Sequence, residues 1–545
     1  MAIIANNGGL LTTSFKTHDI EKFYYSPISL LSDTNDLITN LYCFIGYRNP
    51  NTANSLQIPV NSNAYLKSVY KSMFAAKRIT NNELSPVIEK IKWSANTFYD
   101  IYTDKEDMFE KDINGKLMKK FYVVNRFDQV FKCLWNGKNR SNTYSVSSIT
   151  RSNTIVSIEY SGLNSYSIGE YITLQNCNPA DYNGTYRVVS STNGKANVAY
   201  GLSESYKLGI ANTYISGGRI NKTKLSTVEP YLDAGTFDTS LLQITSDGYK
   251  WKYIYTIDKG RKEKFYDNDY IPVPIKEDEP PNIGETSSKA GSIDIIGLLE
   301  GGSGYSEGTD TVDIKITGDG YNANAIAYIT SNSIVDILVT SPGYGYTYAD
   351  LSITPSGVLS GNGANAEIYI SPIGGHGFDP IEEFGCDTIM ISCEFQGNES
   401  GKIPTNLVFN QLGLLVNPYE LESDILHANG SIYTLSTAIL TTPSITPFRQ
   451  GEVIYQGTSI TDYTFIGECL SFDPTTNALY VINSVGVPRQ NYAVIGASSG
   501  GYAIISGTSE PTMAKYTGNI VYVENIETTQ RDSSDTEQFR LIVKY

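Results

Sequence analysis

The chain is poor in the side chains that metal centres and nucleophilic active sites most often use. It has three histidines, His18, His376 and His427, and six cysteines, none of which form a CxxC pair. Zinc and non-heme iron sites need several ligands that converge on one ion, usually with histidines among them. The sequence therefore predicts no metal site, no cofactor site and no catalytic residue.

Basic charge and long apolar runs are also scarce. Lys and Arg number 41 against 57 Asp and Glu, a net charge of −16, and such an acidic chain repels phosphate backbones and anionic membranes. No apolar run approaches the roughly 18 residues of a membrane helix, and the first residues lack the pattern of a signal peptide. We expect no nucleic-acid or membrane partner, and six reduced, mostly buried thiols.

Tyrosine and glycine are abundant instead, with 41 and 47 residues. Tyrosine suits half-buried strands and wet interfaces, because its ring is apolar while its hydroxyl stays hydrated. Most of the chain alternates apolar and polar residues between glycine- and asparagine-rich turns. These features predict a mainly β, multi-domain protein with sandwich- or barrel-like modules and a small α+β N-terminal part.

Changes in composition and in residue pattern divide the chain into four predicted parts. Short alternating runs joined by Asn-Gly turns fill residues 141–222, and an acidic, proline-rich stretch at 274–291 marks the next boundary. The predicted parts are an α+β domain from 1–140 and 223–285, an inserted all-β domain at 141–222, a duplicated Gly/Tyr region at 286–373 and a β-sandwich-like C-terminal domain at 374–545.

The Gly/Tyr region contains an internal repeat with an offset of 41 residues. Gly304-Tyr305 recurs as Gly345-Tyr346, and Ala323-Asn324-Ala325 recurs as Ala364-Asn365-Ala366. Two copies are too few for a solenoid with a continuous core. We expect two β units stacked on each other.

Helix signals gather near the N-terminus. In "NAYLKSVYKSMFAAKRIT" the apolar residues recur at helical spacing, with Asn63 as a candidate cap, and "SPVIEKIKW" predicts a second short helix with Pro86 in its first turn. "FYVVNRFDQVFKCLWN" predicts two strands joined near Arg126. "SDGYKWKYIYTI" predicts a strand that places four aromatic residues on one face, where they pack on a neighbouring layer.

The segment "GGHGFDPIEEFGC" (374–386) concentrates acid–base and metal-ligand side chains, so it is the first candidate for an active site. Nothing in the sequence brings another histidine to His376, and the surrounding glycines indicate a turn that needs positive φ or close approach. We interpret the segment as a turn into the C-terminal domain, with a short helical turn that begins at Glu382-Glu383 and with His376 held by a hydrogen bond.

Three other motifs resemble active-site sequences but predict turns. "GASSG" (496–500) fits GxSxG, yet a strand follows Ser498 and no histidine lies downstream. "GDGYNA" and "GNGANA" match a phosphate loop but lead into strands, as equivalent turns of the two repeats. "EKDINGK" (110–116) lacks the Glu that completes a calcium loop, because Phe121 occupies that position. A pair of catalytic carboxylates stays possible, because the fold brings such residues together and they have no fixed spacing in the sequence.

Several separated segments resemble one family. "YKSMFAAKRIT…LSPVIEKIKWSANTFYDIYTD…FYVVNRFDQVFKCLWN", "STVEP…SDGYKWKYIYTI", "GGHGFDPIEEFG" and the C-terminal "YTGNIVYVENIETTQRDSSDTEQFRLIVKY" are similar, in order, to the baseplate wedge subunit called gene product eight of contractile-tailed bacteriophages. In that family the counterparts of "KCLWN" and "STVEP" are close together. Here about eighty residues intervene, which supports an inserted domain at a loop where insertion costs little stability.

The resemblance implies a structural protein of the virion without catalytic activity. Family members form homodimers and bind other wedge subunits in a sixfold plate at the tail tip, so the expected partners are proteins and no small-molecule substrate is expected. The expected location is the tail baseplate, after assembly in the host cytoplasm. The role of the insert and the repeats is expected to be contact with peripheral subunits.

Two alternatives remain. A receptor-binding tail fibre or spike would use Gly/Tyr/Asn-rich β modules to recognise host surface glycans, and it would form trimers, although the sequence has no heptad or collagen-like segment. An enzyme such as a polysaccharide depolymerase would need a specific carboxylate pair, and the sequence gives no reason to choose one among 57 acidic residues.

Overall fold

The computed structural model describes most of the chain, and the secondary structure is mainly antiparallel strands, as the sequence predicts. The described residues are 12–25, 40–49, 58–112, 114–136, 144–152, 155–162, 165–168, 170–179, 182–199, 213–222, 224–233, 242–275, 291–307, 312–356, 360–422 and 432–545. Among them, no helix has the length and apolar character to cross a membrane.

The first half of the chain contains three helices and fourteen strands among its described residues. They are α1 (Thr13–Tyr25), β1 (Leu41–Gly46), α2 (Asn63–Ser72), β2 (Met73–Arg78), a 3-10 turn (Asn81–Glu83), β3 (Leu84–Glu89), β4 (Tyr122–Val124), β5 (Gln129–Trp135), β6 (Tyr144–Ser152), β7 (Ile155–Tyr160), β8 (Tyr171–Asn178), β9 (Gly184–Thr192), β10 (Lys195–Ala199), β11 (Ser216–Lys222), β12 (Leu242–Ile244), β13 (Lys250–Thr256), α3 (Lys259–Phe265) and β14 (Tyr270–Pro272).

The second half is almost entirely β. Its elements are β15 (Ile295–Ser303), β16 (Val312–Gly318), β17 (Tyr321–Thr330), β18 (Ser333–Tyr344), β19 (Ala349–Pro355), β20 (Asn362–Tyr369), α4 (Pro380–Glu383), β21 (Thr388–Gln396), β22 (Leu407–Val416), β23 (Ile432–Thr434), β24 (Thr437–Thr441), β25 (Val453–Ser459), β26 (Asp462–Asp473), β27 (Ala478–Gly486), β28 (Ala493–Gly496), β29 (Tyr502–Ser509), β30 (Asn519–Arg531) and β31 (Thr536–Lys544).

The chain forms two compact units. Unit 1 comprises Met1–Thr17 and Pro86–Asp387, and unit 2 comprises His18–Ser85 and Thr388–Tyr545. The boundaries of the two units differ from those of the four parts predicted from the sequence. The four parts are a finer division, which stays a prediction.

Unit 2 contains a five-stranded sheet in the order β23-β2-β1-β22-β30. The helix predicted in "NAYLKSVYKSMFAAKRIT" is only partly correct, because α2 ends at Ser72 and the following residues form β2. The N-cap residue of α2 is Ser62 and not Asn63. The Ser62 hydroxyl accepts a hydrogen bond from the Tyr65 N–H at 3.2 Å. β2 pairs with β1 and β23, so hydrogen bonds on both of its edges favour a strand over a longer helix.

The predicted second helix, "SPVIEKIKW", is wrong. Its first five residues, 85–89, belong to β3, in which Val87 and Ile88 are buried and pair with Pro272 and Ile271 of β14, and the remaining residues are not helical. Apolar side chains occupy successive positions here, so both faces of the segment are buried. A strand buried on both faces suits β-branched residues, whereas an amphipathic helix would leave one face to solvent.

A second group of strands in unit 2 closes into a six-stranded barrel, β24-β27-β26-β25-β28-β29. Inward-facing side chains of alternate residues fill it, including Phe465, Leu479 and Ile505, each fully buried. The prediction of barrel-like β modules is therefore confirmed, whereas a sandwich-like domain over residues 374–545 stays a prediction.

Unit 1 is built around a four-stranded sheet in the order β12-β13-β5-β4. The two strands predicted in "FYVVNRFDQVFKCLWN" are β4 and β5, and the turn between them places Asp128 at φ 61°. Tyr249 and Trp251 stack on each other, with ring centroids 5.6 Å apart. A register shift between Tyr253 and Tyr255 interrupts the alternation, so the four aromatic residues do not form one regular stripe, but all are buried.

Six strands of unit 1, β6 to β11, form a second closed barrel in the order β10-β7-β6-β11-β8-β9. Its core contains buried aliphatic and tyrosine side chains from successive strands, such as Ile158, Ile172 and Tyr186. Closure leaves no unpaired sheet edge in this short segment.

The duplicated region exchanges strands between its two copies. β15 of the first copy pairs with β20 of the second, β17 with β18, and β16 with β19. Equivalent backbone bonds link the copies: Tyr305 N–H donates to Asn332 O, and Tyr346 N–H donates to Gly291 O, each at 3.1 Å. The predicted stacking of two separate units is therefore replaced by interlocked pairing around an approximate twofold axis.

Glycine makes this interlocking possible. A Cβ on Gly343 would lie 2.4 Å from Tyr321 O and 2.6 Å from Ala323 N, and its repeat partner Gly302 has matching contacts with Asn362 O and Ala364 N at 2.3 and 2.6 Å. Both residues also have positive φ, 62° and 63°. Only glycine permits this approach between backbones.

We expect Gly343→Ala to destabilise unit 1 strongly. Overpacking costs about 1–3 kcal/mol, and a left-handed backbone conformation adds about 1–2 kcal/mol for a residue with a Cβ. Gly115→Ala is the matched control, because Gly115 has φ 74° but no atom within 4 Å of the added Cβ. Scanning calorimetry should show a clearly larger drop in the unfolding midpoint for Gly343→Ala, and equal drops would contradict the close approach.

Candidate functional site

The segment 374–386 forms the turn that the sequence predicts, followed by α4. Gly374, Gly375 and Gly377 have φ of 79°, 93° and 86°. Asp379 caps α4 by accepting from the Glu382 N–H at 3.2 Å. The predicted short helical turn is present, but α4 begins at Pro380 and ends at Glu383, so Glu382-Glu383 are its end and not its beginning.

Glu383 points from α4 into the interior of unit 1 and binds three donors. Its Oε1 lies 3.0 Å from Lys132 Nζ and 2.7 Å from His376 Nδ1, and its Oε2 accepts from the Gly377 N–H at 2.6 Å. The predicted hydrogen bond of His376 is therefore present. Because a carboxylate only accepts hydrogen bonds, His376 carries its proton on Nδ1 when it is neutral.

Lys132 belongs to a pair of lysines on neighbouring strands. Lys132 of β5 lies directly opposite Lys252 of β13 in the antiparallel register. Like charges in this position repel, and each lysine has a separate carboxylate partner. Lys252 Nζ lies 3.0 Å from Asp294 Oδ1, and Asp294 Oδ2 also accepts from Ser292 Oγ at 2.7 Å.

We call these five residues, Lys132, Lys252, Asp294, His376 and Glu383, the lysine network. Its charged side chains are almost completely buried, with exposed fractions from 0% for Lys132 to 8% for Asp294. Two ammonium groups face two carboxylates, so the network is neutral when His376 is neutral. A buried charge without such a partner would cost several kcal/mol.

Aromatic rings surround the Lys132 ammonium group. Lys132 Nζ lies 3.5 Å from the centroid of the Tyr102 ring and 5.8 Å from that of Phe121. The His376 ring meets Tyr102 edge to face, with centroids 5.3 Å apart. Cation–π attraction is strongest where water is excluded, so these rings add to the stabilisation of Lys132 by Glu383.

The buried setting shifts the pKa values of the network. Burial acts to raise the pKa of Glu383, but Lys132 and the hydrogen bonds from His376 and Gly377 lower it to about 2. Burial, with Lys132 nearby, lowers the pKa of His376, and Glu383 opposes this only in part. Glu383 is therefore ionised at neutral pH while His376 is neutral.

The lysine network can hold β5, β13 and α4 together, but it cannot contact a solute while its side chains are buried. His376 is 2% exposed and Glu383 is 1% exposed. A catalytic acid or base must come within hydrogen-bonding reach of the substrate. The arrangement therefore fits a structural network better than an active site.

The remaining candidate residues are dispersed. His18 is exposed on α1 in unit 2, whereas His376 belongs to unit 1, and His427 lies outside the described residues. All six cysteines are buried, as predicted, and none forms a disulfide bond. Within the part of the chain that the structure describes, no group of three or more His, Cys, Asp or Glu residues could hold a metal ion.

The serine of "GASSG" lies in the hairpin between β28 and β29, as predicted. Ser498 Oγ donates to Glu452 Oε2 at 2.9 Å, and Ser499 Oγ donates to Glu452 Oε1 at 2.7 Å. The Ser498 hydroxyl thus contacts a carboxylate, and no histidine among the described residues. Glu452 fixes the hairpin by accepting from both serines.

The other motifs fit the predicted turns unequally. "GDGYNA" (318–323) spans the turn between β16 and β17 and the first residues of β17, whereas five of the six residues of "GNGANA" (361–366) belong to β20. Asp112 of "EKDINGK" accepts from the N–H groups of Asn114 and Lys116 at 2.8 and 2.9 Å, as in a turn. Sequence reasoning missed Lys132, Lys252 and Asp294. The signal was a lysine inside the apolar strands "VFKCLW" and "KWKYIY", since a lysine buried in a sheet must have an anionic partner.

No protein-family model and no curated protein matches the chain.

We expect Glu383→Gln to lower the stability of unit 1 by about 3–5 kcal/mol, because it leaves Lys132 buried without a charge partner. Glu382→Gln is the control on the same helix, since the Glu382 carboxylate accepts from Ser14 Oγ at 3.0 Å and pairs with no lysine or arginine among the described residues. Unfolding midpoints in urea measure both effects. The double variant Lys132→Met, Glu383→Gln should recover much of the loss, and a further loss would contradict the role of charge.

The pKa shifts predict that acid destabilises unit 1 in two steps. The folded pKa of His376 lies below its ordinary value near 6.5, so the unfolded chain binds the proton first and stability is lost as the pH falls below about 6.5. Glu383 has a folded pKa of about 2 against 4.5. Its stabilisation is present above pH 4.5 and is lost as the pH falls towards 2.

His376→Asn tests the first step, because asparagine keeps a donor for Glu383 but does not titrate. Between pH 7 and pH 5 the unfolding midpoint of the wild-type chain should fall more steeply than that of the variant. His18→Asn is the control, since it removes an exposed histidine outside the network. Parallel curves for the wild type and His376→Asn would contradict the assignment.

Proposed function

We propose that the chain is a structural subunit of a phage tail baseplate wedge, which joins neighbouring wedge proteins through protein–protein contacts and catalyses no reaction. The proposal begins from the resemblance of several ordered segments to the gene product eight family. Those segments include β4, β5, β13 and α4, the elements that carry most of the lysine network. In this proposal they form the scaffold of unit 1.

The observation that carries the proposal is the contrast between buried charge and exposed aromatic surface. The lysine network is buried, whereas the outer faces of the β modules expose large apolar side chains. On the unit 2 barrel, Tyr492, Tyr502 and Ile504 are 61%, 57% and 40% exposed. Exposed tyrosines are typical of specific, wet protein interfaces, and interfaces are the working surfaces of a structural subunit.

The proposal includes homodimers, other wedge subunits as partners, and a location in the tail baseplate. A receptor-binding fibre or spike that recognises host glycans is the second candidate. The observation that favours it is the exposed tyrosines on glycine- and asparagine-rich turns, because tyrosine rings with free hydroxyls suit sugar surfaces as well as proteins.

Two measurements test the proposed function. Light scattering of the purified full-length chain should give a dimer, twice 60.0 kDa, whereas a stable trimer would favour the fibre. Electron microscopy of virions labelled with an antibody against the chain should show label at the plate of the tail tip. Label along or at the far end of fibres would contradict the wedge assignment.

A further inference from the structure

The duplicated module, residues 291–371, carries an extreme negative charge. It contains nine carboxylates and one lysine, a formal charge of 1 − 9 = −8, which is half of the chain's −16. A compact region with this charge attracts positively charged partners and repels negative ones.

Four of these carboxylates bind basic side chains from the rest of unit 1. Asp294 pairs with Lys252, Asp336 with Lys250 at 2.8 Å, Glu367 with Lys105 at 2.6 Å, and Glu300 with Arg219. Every ion pair that the module makes with its surroundings thus joins a module carboxylate to an external lysine or arginine, among the residues that the structure describes. The module attaches to the rest of unit 1 by complementary charge.

Another four carboxylates have no cationic partner in the described parts of the chain: Glu307, Asp313, Asp319 and Asp350. Asp319 and Asp350 lie close to the turn between β16 and β17. The Asp319 carboxylate accepts from the Thr347 N–H at 2.9 Å, the Thr347 hydroxyl at 2.5 Å and the Tyr348 N–H at 3.2 Å, which fixes it beside the β18–β19 connection. Asp350 is paired with Thr317 across the two-stranded sheet. All four carboxylates are exposed.

Three exposed tyrosines lie at the same turn. Tyr321 and Tyr344 are cross-strand partners, with ring centroids 6.0 Å apart and an interplanar angle of 41°. Tyr321, Tyr344 and Tyr348 are 64%, 51% and 64% exposed. We call these residues with Asp319 and Asp350 the tyrosine turn.

The other copy of the repeat shows that the fold does not require these side chains. At an offset of 41 residues, Tyr321, Tyr344 and Tyr348 correspond to Asn362, Ser303 and Glu307. Both copies keep the buried tyrosines and the glycines that interlock them. The exposed aromatic residues are therefore specific to one end of the module, and packing does not account for them.

The module already contains one example of how such a surface binds a cation. Lys105 lies over the Tyr369 ring, with its Nζ 5.8 Å from the centroid, while it pairs with Glu367. Tyr369 is the repeat partner of Tyr328. A tyrosine ring beside a carboxylate thus accepts a basic side chain in this module, and the tyrosine turn offers the same combination to solvent.

We infer that the tyrosine turn is a docking site for a basic protein surface, in which arginine side chains stack on Tyr321 and Tyr344 and pair with Asp319 and Asp350. Arginine suits both interactions because its planar group stacks on rings and binds carboxylates through two N–H groups. The inference rests on the proposed function in one respect, that the chain works by binding neighbouring proteins. Beyond the proposed function, the inference identifies one surface that binds a neighbouring protein and states that this protein is basic.

The test uses the purified full-length chain and a fluorescein-labelled peptide of six Arg-Gly repeats, followed by fluorescence anisotropy at physiological salt. We expect the wild type to bind and Tyr321→Asn, Tyr344→Ser, which introduces the residues of the other copy, to weaken binding about tenfold or more. Asp350→Asn should also weaken binding. Asp313→Asn is the matched control, because it removes the same charge at the far end of the same sheet and should change affinity less than about twofold.

Hydrogen exchange with bound peptide gives a second readout, and protection should concentrate in residues 318–323 and 343–350. Circular dichroism of each variant checks the fold. If the tyrosine variant unfolds, the comparison of Asp350→Asn with Asp313→Asn is the test of binding at the tyrosine turn. Absence of binding by the wild type, equal weakening by Asp313→Asn and Asp350→Asn, or protection elsewhere would each overturn the inference. None of these outcomes bears on the virion label, so failure here is distinct from failure of the proposed function.

Discussion

The fold of unit 1 depends on the neutralisation of two lysines in the middle of a buried sheet. Lys132 and Lys252 lie opposite each other on β5 and β13, where like charges repel and water cannot solvate them. Each therefore requires a carboxylate from another part of the chain, and Glu383 and Asp294 supply these. Because Glu383 is 251 residues from Lys132, this requirement fixes where the chain must return after the duplicated module.

The same constraint explains why the segment with His376 resembles an active site. A buried carboxylate that binds a lysine, a histidine and a backbone N–H collects the side chains that catalysis uses. Perturbed pKa values often mark functional sites, but structural ion networks also produce them. Here the burial of every charged member favours a structural network, since the groups contact one another.

Charge also organises the duplicated module, in a different way. Its carboxylates face lysines and arginines on one side, such as Asp336 with Lys250, and solvent on the other, such as Asp350. Interlocking of the two copies requires the buried tyrosines and glycines, which both copies retain. The exposed positions are free to differ, and one copy has tyrosines where the other has polar residues. Duplication followed by divergence of a single face can thus add a binding surface without loss of the core.

Local patterns in the sequence were enough to predict the mainly β fold, the hairpin of β4 and β5, the turns at the glycine motifs and the burial of the thiols. These features depend on alternation and on turn residues a few positions apart. Tertiary structure alone decided that Met73–Arg78 and Leu84–Glu89 are strands, because their hydrogen-bonding partners are far away in the chain. It also decided which carboxylate neutralises which lysine, since charge pairing depends on distance in space and leaves no spacing in the sequence.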